Sequence, residues 1–309
     1  MSKIINFHAV SDAEWFEKVI LFLKSRYNMV SIQTINECMS ESIELNNLCH
    51  ITVDDGDSSF YKNIYPVLKK HNIPASIYVS PKVSIEKTNF WFQEIEGYNK
   101  IELKRIIAEM FNISLDSLIK FNTFSIFKTR TMYQIYEILK RYCKISNSSG
   151  TIFQNMTVEN LKEVEQSGLV TIGAHTINHP ILRNEDDTTS KFEINESVNE
   201  LSNLLNHEIK YFAYPNGIPD LDFSEREMSY LTESGIKLAF STASKNLTST
   251  ENEMCLPRFA ISNIESMSFI KTKLFFDSHW ETITRLKPKG QYKERLELTQ
   301  IFSSSKNLI

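Results

Sequence analysis

Apolar positions along the chain change period several times. "KIINFHAV" near the N-terminus is an almost continuous apolar run, as a short buried strand requires, and "WFEKVILFLKSRYN" then sets Trp15, Val19 and Phe22 at helical spacing. "LCHITVDDG" predicts a second strand, "FYKNIYPVLKKHN" a helix and "PASIYVS" a third strand. This repeated βαβ order with short turns predicts parallel strands covered by outer helices.

From about Ser84 to Asn155 the strand signal stops. Segments such as "NKIELKRIIAEMF" and "TMYQIYEILKRYCK", separated by Ser/Asn-rich turns, predict a helical insertion. The alternation then resumes with "TVENLKEVEQSG" as a helix, Thr157 as its N-cap and Gly168 just past its end, followed by "LVTIGAHT" as a strand. "FEINESVNELSNLLN" and "SEREMSYLTESG" read as helices, and "IKYFAYP" and "IKLAFST" as strands. The expected organisation is one α/β domain over residues 1–280, carrying a helical lid at about 84–155, and a polar tail over 281–309 that reads as a surface helix with a frayed end.

Composition narrows the partners. A chain of 309 residues can bury a sizeable core, and 41% apolar with 23% charged residues is ordinary for a globular protein. The net charge of -4 gives no electrostatic footprint for nucleic acid, and no window approaches the 18 apolar residues of a membrane span. Cys38, Cys49, Cys143 and Cys255 are scattered, which fits free thiols rather than a disulfide framework or a thiolate zinc site. "MSKIINFHAVSDAEWFEKV" has no long apolar core or small-residue cleavage site, so a cytoplasmic protein is expected. The sequence carries no sign of the oligomeric state.

Candidate chemistry gathers at predicted strand ends. In parallel α/β proteins the loops after the strands converge at one edge, and Asp54 and Asp55 of "VDDGD" stand there. Neighbouring strand residues point to opposite sides, so one carboxylate can bind while the other reacts. His175 and His179 in "GAHTINHP" lie four apart after another strand, and on a helical turn that spacing puts both imidazoles on one face. Two histidines with a carboxylate leave metal positions open for water and substrate, and a cation would offset the repulsion between the paired aspartates. HxxxH also occurs as surface or capping histidines, and DDGD as a turn or N-cap cluster; their occurrence together at two strand ends favours the metal reading. "YFAYPNG" adds a strand running into a Pro-Asn-Gly turn, which can aim backbone N–H groups into a cleft.

"TVDDGD" at 52–57, "HTINHP" at 175–180 and "FAYPNG" at 212–217, in this order, resemble the first three motifs of the NodB-like polysaccharide deacetylases, carbohydrate esterase family 4. The likeness extends over roughly Lys3 to Phe276, outside the helical insertion. It implies a distorted (β/α) barrel of about seven strands, an N-deacetylase acting on acetylated amino sugars, and a divalent metal, usually zinc, with cobalt or nickel as alternatives. By the same resemblance Asp54 is the catalytic base, Asp55, His175 and His179 are the metal ligands, and Asn216 supplies an oxyanion-binding N–H. Tyr214 and Pro215 of the third motif are then placed against substrate.

The chain departs from the family pattern in three places. Where the family often has an arginine to pair with the base, this chain has Ala213; Arg258 in "LPRFAI" is the candidate to replace it from another loop, and a plain surface arginine is the other reading of it. The fourth motif has no clear counterpart. The fifth, whose histidine acts as general acid, has only a loose match in His279 of "LFFDSHW". His8 could also face the site, although a buried structural role is expected for it. Aromatics of the insertion, among them Trp91, Phe92 and Tyr136, read mostly as core at helical spacing, in a lid that would select substrate. With the cytoplasmic expectation, the substrate would be a nucleotide-linked or lipid-linked amino sugar for surface polysaccharide. Two further readings stand beside this one: a non-catalytic carbohydrate-binding protein on the same scaffold, and a deformylase or small-amide hydrolase.

Overall fold

The computed structural model describes residues 1–147, 150–275 and 290–304. Eight strands form one sheet: β1 (Lys3–Phe7), β2 (Asn28–Met29), β3 (Leu48–Val53), β4 (Ala75–Val79), β5 (Val170–Ala174), β6 (Tyr211–Ala213), β7 (Leu238–Phe240) and β8 (Phe259–Ala260). Seven of them follow in the order β7-β6-β5-β4-β3-β1-β8, and β2 pairs with β3 off this path. Every pairing is parallel. The result is a curled parallel sheet of the kind the sequence predicts. The bridge Phe240–Leu256 carries the chain from β7 back toward β8. Two-residue β2 and β8 are too short to show a period, which is why the sequence pattern does not reveal them.

Strands β1, β4, β6 and β7 are buried at every position, as expected for strands covered on both faces. One residue in β5 shows how tightly the interior is filled. A Cβ on Gly173 would lie 2.5 Å from Tyr78 Cε1 and 2.7 Å from the Tyr211 carbonyl oxygen, so only glycine lets the Tyr78 ring cross the interior there. The register places Phe7 beside Val53, Val79 beside Ala174 and Ala213 beside Phe240. The chain segments that leave these strands therefore open on the same edge.

The insertion folds on its own core of Trp91, Ile95, Leu103, Ile107, Phe127 and Ile138. That core also takes Leu298 and Phe302 from the C-terminal helix Gly290–Ser304, both buried. The tail is thus not the surface helix its polarity suggests. Glu294 accepts hydrogen bonds from the Asn122 N–H and the Ser125 hydroxyl, and the Arg130 guanidinium sits 3.4 Å from the Phe302 ring centre. A narrow apolar stripe on a polar helix needs a partner to decide its fate, and here the partner lies more than 150 residues earlier. No helix among the described residues is long and apolar enough to cross a membrane.

Candidate metal centre and catalytic cleft

Beyond β3 the backbone turns abruptly. Asp55 and Gly56 both adopt left-handed conformations, with φ of 73° and 74°, and a Cβ on Gly56 would lie 2.9 Å from Val79 Cγ1. A non-glycine residue in this region is strained and is kept where surrounding structure enforces it, often at a functional site. The turn points the two carboxylates to different partners. Asp57 accepts from the Ser59 N–H at 2.8 Å and is a turn residue, as its sequence position suggests.

The two histidines do not sit on a helical turn. Thr176 and His179 have φ of 64° and 56°, and this irregular loop folds back so that the imidazole centres lie 4.9 Å apart. The two residues at i,i+4 spacing are brought together, but through a different geometry from the helical one. Buried Glu193, on helix Asp187–Leu205, holds the loop by accepting from the Ile177 and Asn178 N–H groups at 3.0 and 2.9 Å. The insertion holds it too, because Trp91 Nε1 donates to the His179 carbonyl at 3.0 Å while Phe90 and Phe92 meet the His179 ring edge-on.

Asp55, His175 and His179 offer three ligand atoms within 4.8 Å of one another. His175 Nε2 and His179 Nε2 lie 3.4 and 3.3 Å from Asp55 Oδ1, an atom that is buried and, among the described residues, forms no directed hydrogen bond. Ligands bound tetrahedrally at about 2.0–2.1 Å stand about 3.3–3.4 Å apart, so the spacing fits a zinc-sized ion. His175 Nδ1 lies 2.6 Å from the Ala213 carbonyl, which fixes the tautomer with the Nε2 lone pair facing the cluster. Burial opposes ionisation of Asp55, but its contacts with His175 and His179 outweigh this and hold it well below the usual carboxylate range. Burial likewise pulls both imidazoles down; at His175 the nearby Asp55 and Asp54 carboxylates reverse the direction, whereas His179 stays lowered.

Asp54 turns the other way, into the barrel. Arg258 Nη1 and Nη2 donate to its two oxygens at 2.8 Å each, and Asn6 Nδ2 donates to Oδ2 at 3.0 Å. Arg258 is fully buried, donates from Nε to the Ser241 carbonyl, and lies near the Tyr78 and Phe240 rings. It reaches Asp54 from the segment before β8 and puts a guanidinium where the side chain of Ala213 cannot. Burial favours the neutral acid, yet Arg258, with His175 and His8, keeps the Asp54 carboxyl below its ordinary value. Asn6 went unmarked in the sequence, where its signal is a lone amide inside an apolar strand.

His8 is exposed rather than buried, and its Nε2 lies 3.9 Å from Asp54 Oδ2 at the mouth of the site. The expectation of a buried structural histidine is corrected: His8 is the first residue past β1, where the strand's apolar cover ends. His279 lies outside the described residues. Tyr214 does not line the cleft. It is buried, donates to the Met254 carbonyl at 2.8 Å and stacks on Phe223 with ring centres 3.6 Å apart, so its ring belongs to the core. Pro215 is buried as well and serves the turn, its carbonyl accepting from the Gly217 N–H. Asn216, at φ 59°, stays partly open; its side chain donates to Asp222 and accepts from Lys128.

The sequence profile of the polysaccharide deacetylases matches residues 45–239, which contain Asp54, Asp55, both histidines and Asn216. The chain belongs to the polysaccharide deacetylase family. It is therefore a hydrolase of the class that cleaves amide bonds on saccharides. A poly-β-1,6-N-acetyl-D-glucosamine N-deacetylase of Staphylococcus aureus is 24% identical over 263 residues, covering 85% of this chain and 71% of the relative. Among solved structures, IcaB from Ammonifex degensii matches with a TM-score of 0.60 and 18% identity, over 90% of this chain and 97% of that one. The Streptococcus pyogenes deacetylase PplD, solved with acetate, matches with a TM-score of 0.59 and 17% identity, over 87% and 96% of the two chains. These two likenesses place the deacetylase in the same fold.

Proposed function

We propose that this deacetylase is metal-dependent and hydrolyses the acetamide of an N-acetylated amino sugar. The observation that carries the reading is a three-ligand cluster, Asp55, His175 and His179, beside a second buried carboxylate, Asp54, that is paired with Arg258 and not with the cluster. Two imidazoles and a carboxylate suit zinc, with cobalt or nickel as close substitutes. A divalent cation held there would supply Lewis acidity, polarising the amide carbonyl and making water more acidic.

The chain's own residues account for the proton movements. Asp54, kept ionised by Arg258, accepts a proton from the attacking water as the water oxygen bonds to the carbonyl carbon. The carbonyl π pair moves onto the acyl oxygen, toward the Asn216 N–H, which donates to no group among the described residues. When the carbonyl re-forms and the C–N bond breaks, the amine nitrogen takes a proton from His8, whose solvent-facing ring can be recharged from bulk water. Acetate and a free amino sugar result.

Replacing His8 with glutamine should lower kcat about 10²-fold with metal content unchanged, since positioned acid–base groups contribute at least that much. Undiminished turnover in that variant would move the proton donor elsewhere. The Staphylococcus relative's name supports a poly-N-acetylglucosamine chain as substrate. A cytoplasmic location goes with the alternative, a nucleotide-linked or lipid-linked precursor. Acetate release from β-1,6-linked N-acetylglucosamine oligomers should exceed release from nucleotide-linked N-acetylglucosamine, and the reverse ranking would favour the precursor.

The deciding experiment is elemental analysis of protein purified without chelator, beside a His175→Ala/His179→Ala control. About one transition ion per chain, absent from the control, together with acetate release that a chelator removes, is the expected result. No metal uptake after exposure to Zn²⁺, Co²⁺ or Ni²⁺ would refute the metal-dependent reading.

A further inference from the structure

The helical insertion carries one charged group that the mechanism above does not use. Lys128, at the end of helix Thr123–Phe127, extends its ammonium to Asn216 Oδ1. It is half-buried, and among the described residues no carboxylate lies within 4 Å of it.

Its nearest candidate counter-ion is already committed. Asp222 is buried and receives Arg295 Nη1 on Oδ1, while Oδ2 accepts Asn216 Nδ2 and the Ile218 N–H. Around Asp222, Lys128 and Arg295 thus set two cations against one carboxylate, while Asp55, the other carboxylate that acts on Lys128, is engaged by His175 and His179. Among the described residues, buried Arg295 also leaves its Nε without a hydrogen-bond partner. Charge buried without compensation is costly, so a surplus cation kept at a cleft implies an anion that arrives there.

The framework around Lys128 fixes where that cation stands. Its carbonyl accepts from Asn184 Nδ2 at 3.0 Å and from Arg295 Nη2 at 3.2 Å, so the barrel and the C-terminal helix both hold this point of the insertion. Asn216, which it touches, follows by three residues the Ala213 carbonyl that orients His175. The Asp55 carboxylate is close enough to act on the ammonium. Burial outweighs that attraction and leaves the Lys128 amine below its ordinary value.

We propose that Lys128 is a further catalytic residue of this deacetylase, whose ammonium binds the acyl oxygen as it becomes negative and then the carboxylate of the released acetate. This rests on the amide-hydrolysis reading above. In the addition step the water oxygen bonds to the carbonyl carbon, Asp54 takes the water proton, and the π electrons move to the acyl oxygen, which Lys128 pairs with. In the second step those electrons re-form the carbonyl, the C–N bond breaks, and the nitrogen takes a proton from His8. Lys128 neither gains nor loses a proton in the sequence. A cation of this kind acts on charge that develops in the transition state, so its loss should fall on kcat more than on KM.

The test is Lys128→Gln, whose amide can still donate to Asn216 but carries no charge, with Lys128→Arg as the charge-keeping variant. In Lys128→Gln, kcat should fall about 10²-fold with KM within about threefold, and metal content and the denaturation midpoint should match the parent. Sodium acetate should bind the metal-loaded Lys128→Gln protein about tenfold more weakly than the parent by calorimetry, and Lys128→Arg should recover most of both losses. An undiminished kcat with parental acetate affinity would overturn the proposal, as would a loss that Lys128→Arg does not recover, since either assigns Lys128 to holding the insertion alone. Should no acetylated sugar be turned over by the parent, the acetate comparison still decides whether Lys128 binds an anion, while the amide-hydrolysis reading fails by itself.

Discussion

Asp54→Asn is expected to lower kcat by about 10³-fold or more while the protein still takes up its metal ion. General-base catalysis contributes about 10² to 10⁴ in rate, and asparagine has the shape of aspartate without a proton-accepting carboxylate. The distinction from Asp55 is geometric. Asp55 Oδ1 lies 3.3–3.4 Å from both imidazoles, whereas both oxygens of Asp54 are engaged by Arg258, and Oδ2 by Asn6 as well. Asp55→Asn should therefore lose metal as well as activity. Parallel metal titrations and acetate-release assays on the two variants check this, and loss of metal from Asp54→Asn would show that the two roles are reversed.

The second large effect belongs to Arg258. Arg258→Met removes a fully buried guanidinium that makes a two-pronged contact with a buried carboxylate. Breaking such a pair from one side leaves an uncompensated buried charge, which costs about 3–5 kcal/mol. The sign with pH follows from Asp54, whose folded pKa is held below its ordinary value. A carboxyl depressed in this way stabilises the fold fully above its unfolded pKa and loses that contribution as pH falls through the folded one. Without Arg258 the burial of Asp54 acts unopposed by its strongest partner, and its pKa rises. Urea denaturation near neutral pH should show the destabilisation. The acid limb of the pH–rate profile should move to higher pH, because the base must be ionised to act. Arg258→Lys, with one charge but no fork, should fall between the two. An acid limb that stays in place in Arg258→Met would mean that the pair does not tune the base.

Much of the site is legible locally. Asp54 and Asp55 are adjacent, His175 and His179 are four apart, and each pair follows an apolar run that reads as a strand. Strand ends in a parallel sheet converge, so order along the chain was enough to bring both pairs to one edge. The helical reading of the histidine pair failed because a left-handed Thr176 and His179, which are tertiary consequences of the contacts with Glu193 and Trp91, leave no trace in spacing. The third motif marks the neighbourhood of Tyr214 and not its direction; its ring completes the core against Phe223 rather than meeting substrate.

By itself, then, the sequence determined the alternation of strands and helices, the position of the helical insertion, and the chemistry available at two strand ends, because each of these depends on residues within one or two turns of one another. The tertiary structure alone decided that Arg258, 204 positions from Asp54, is the cation that pairs with it, and that His8 stands open beside it. It alone decided that a polar C-terminal helix packs into the insertion and that Lys128 arrives at Asn216 from 88 residues away. Those pairings depend on burial and on charge compensation between distant segments, and neither is a property of any one segment before the chain has folded.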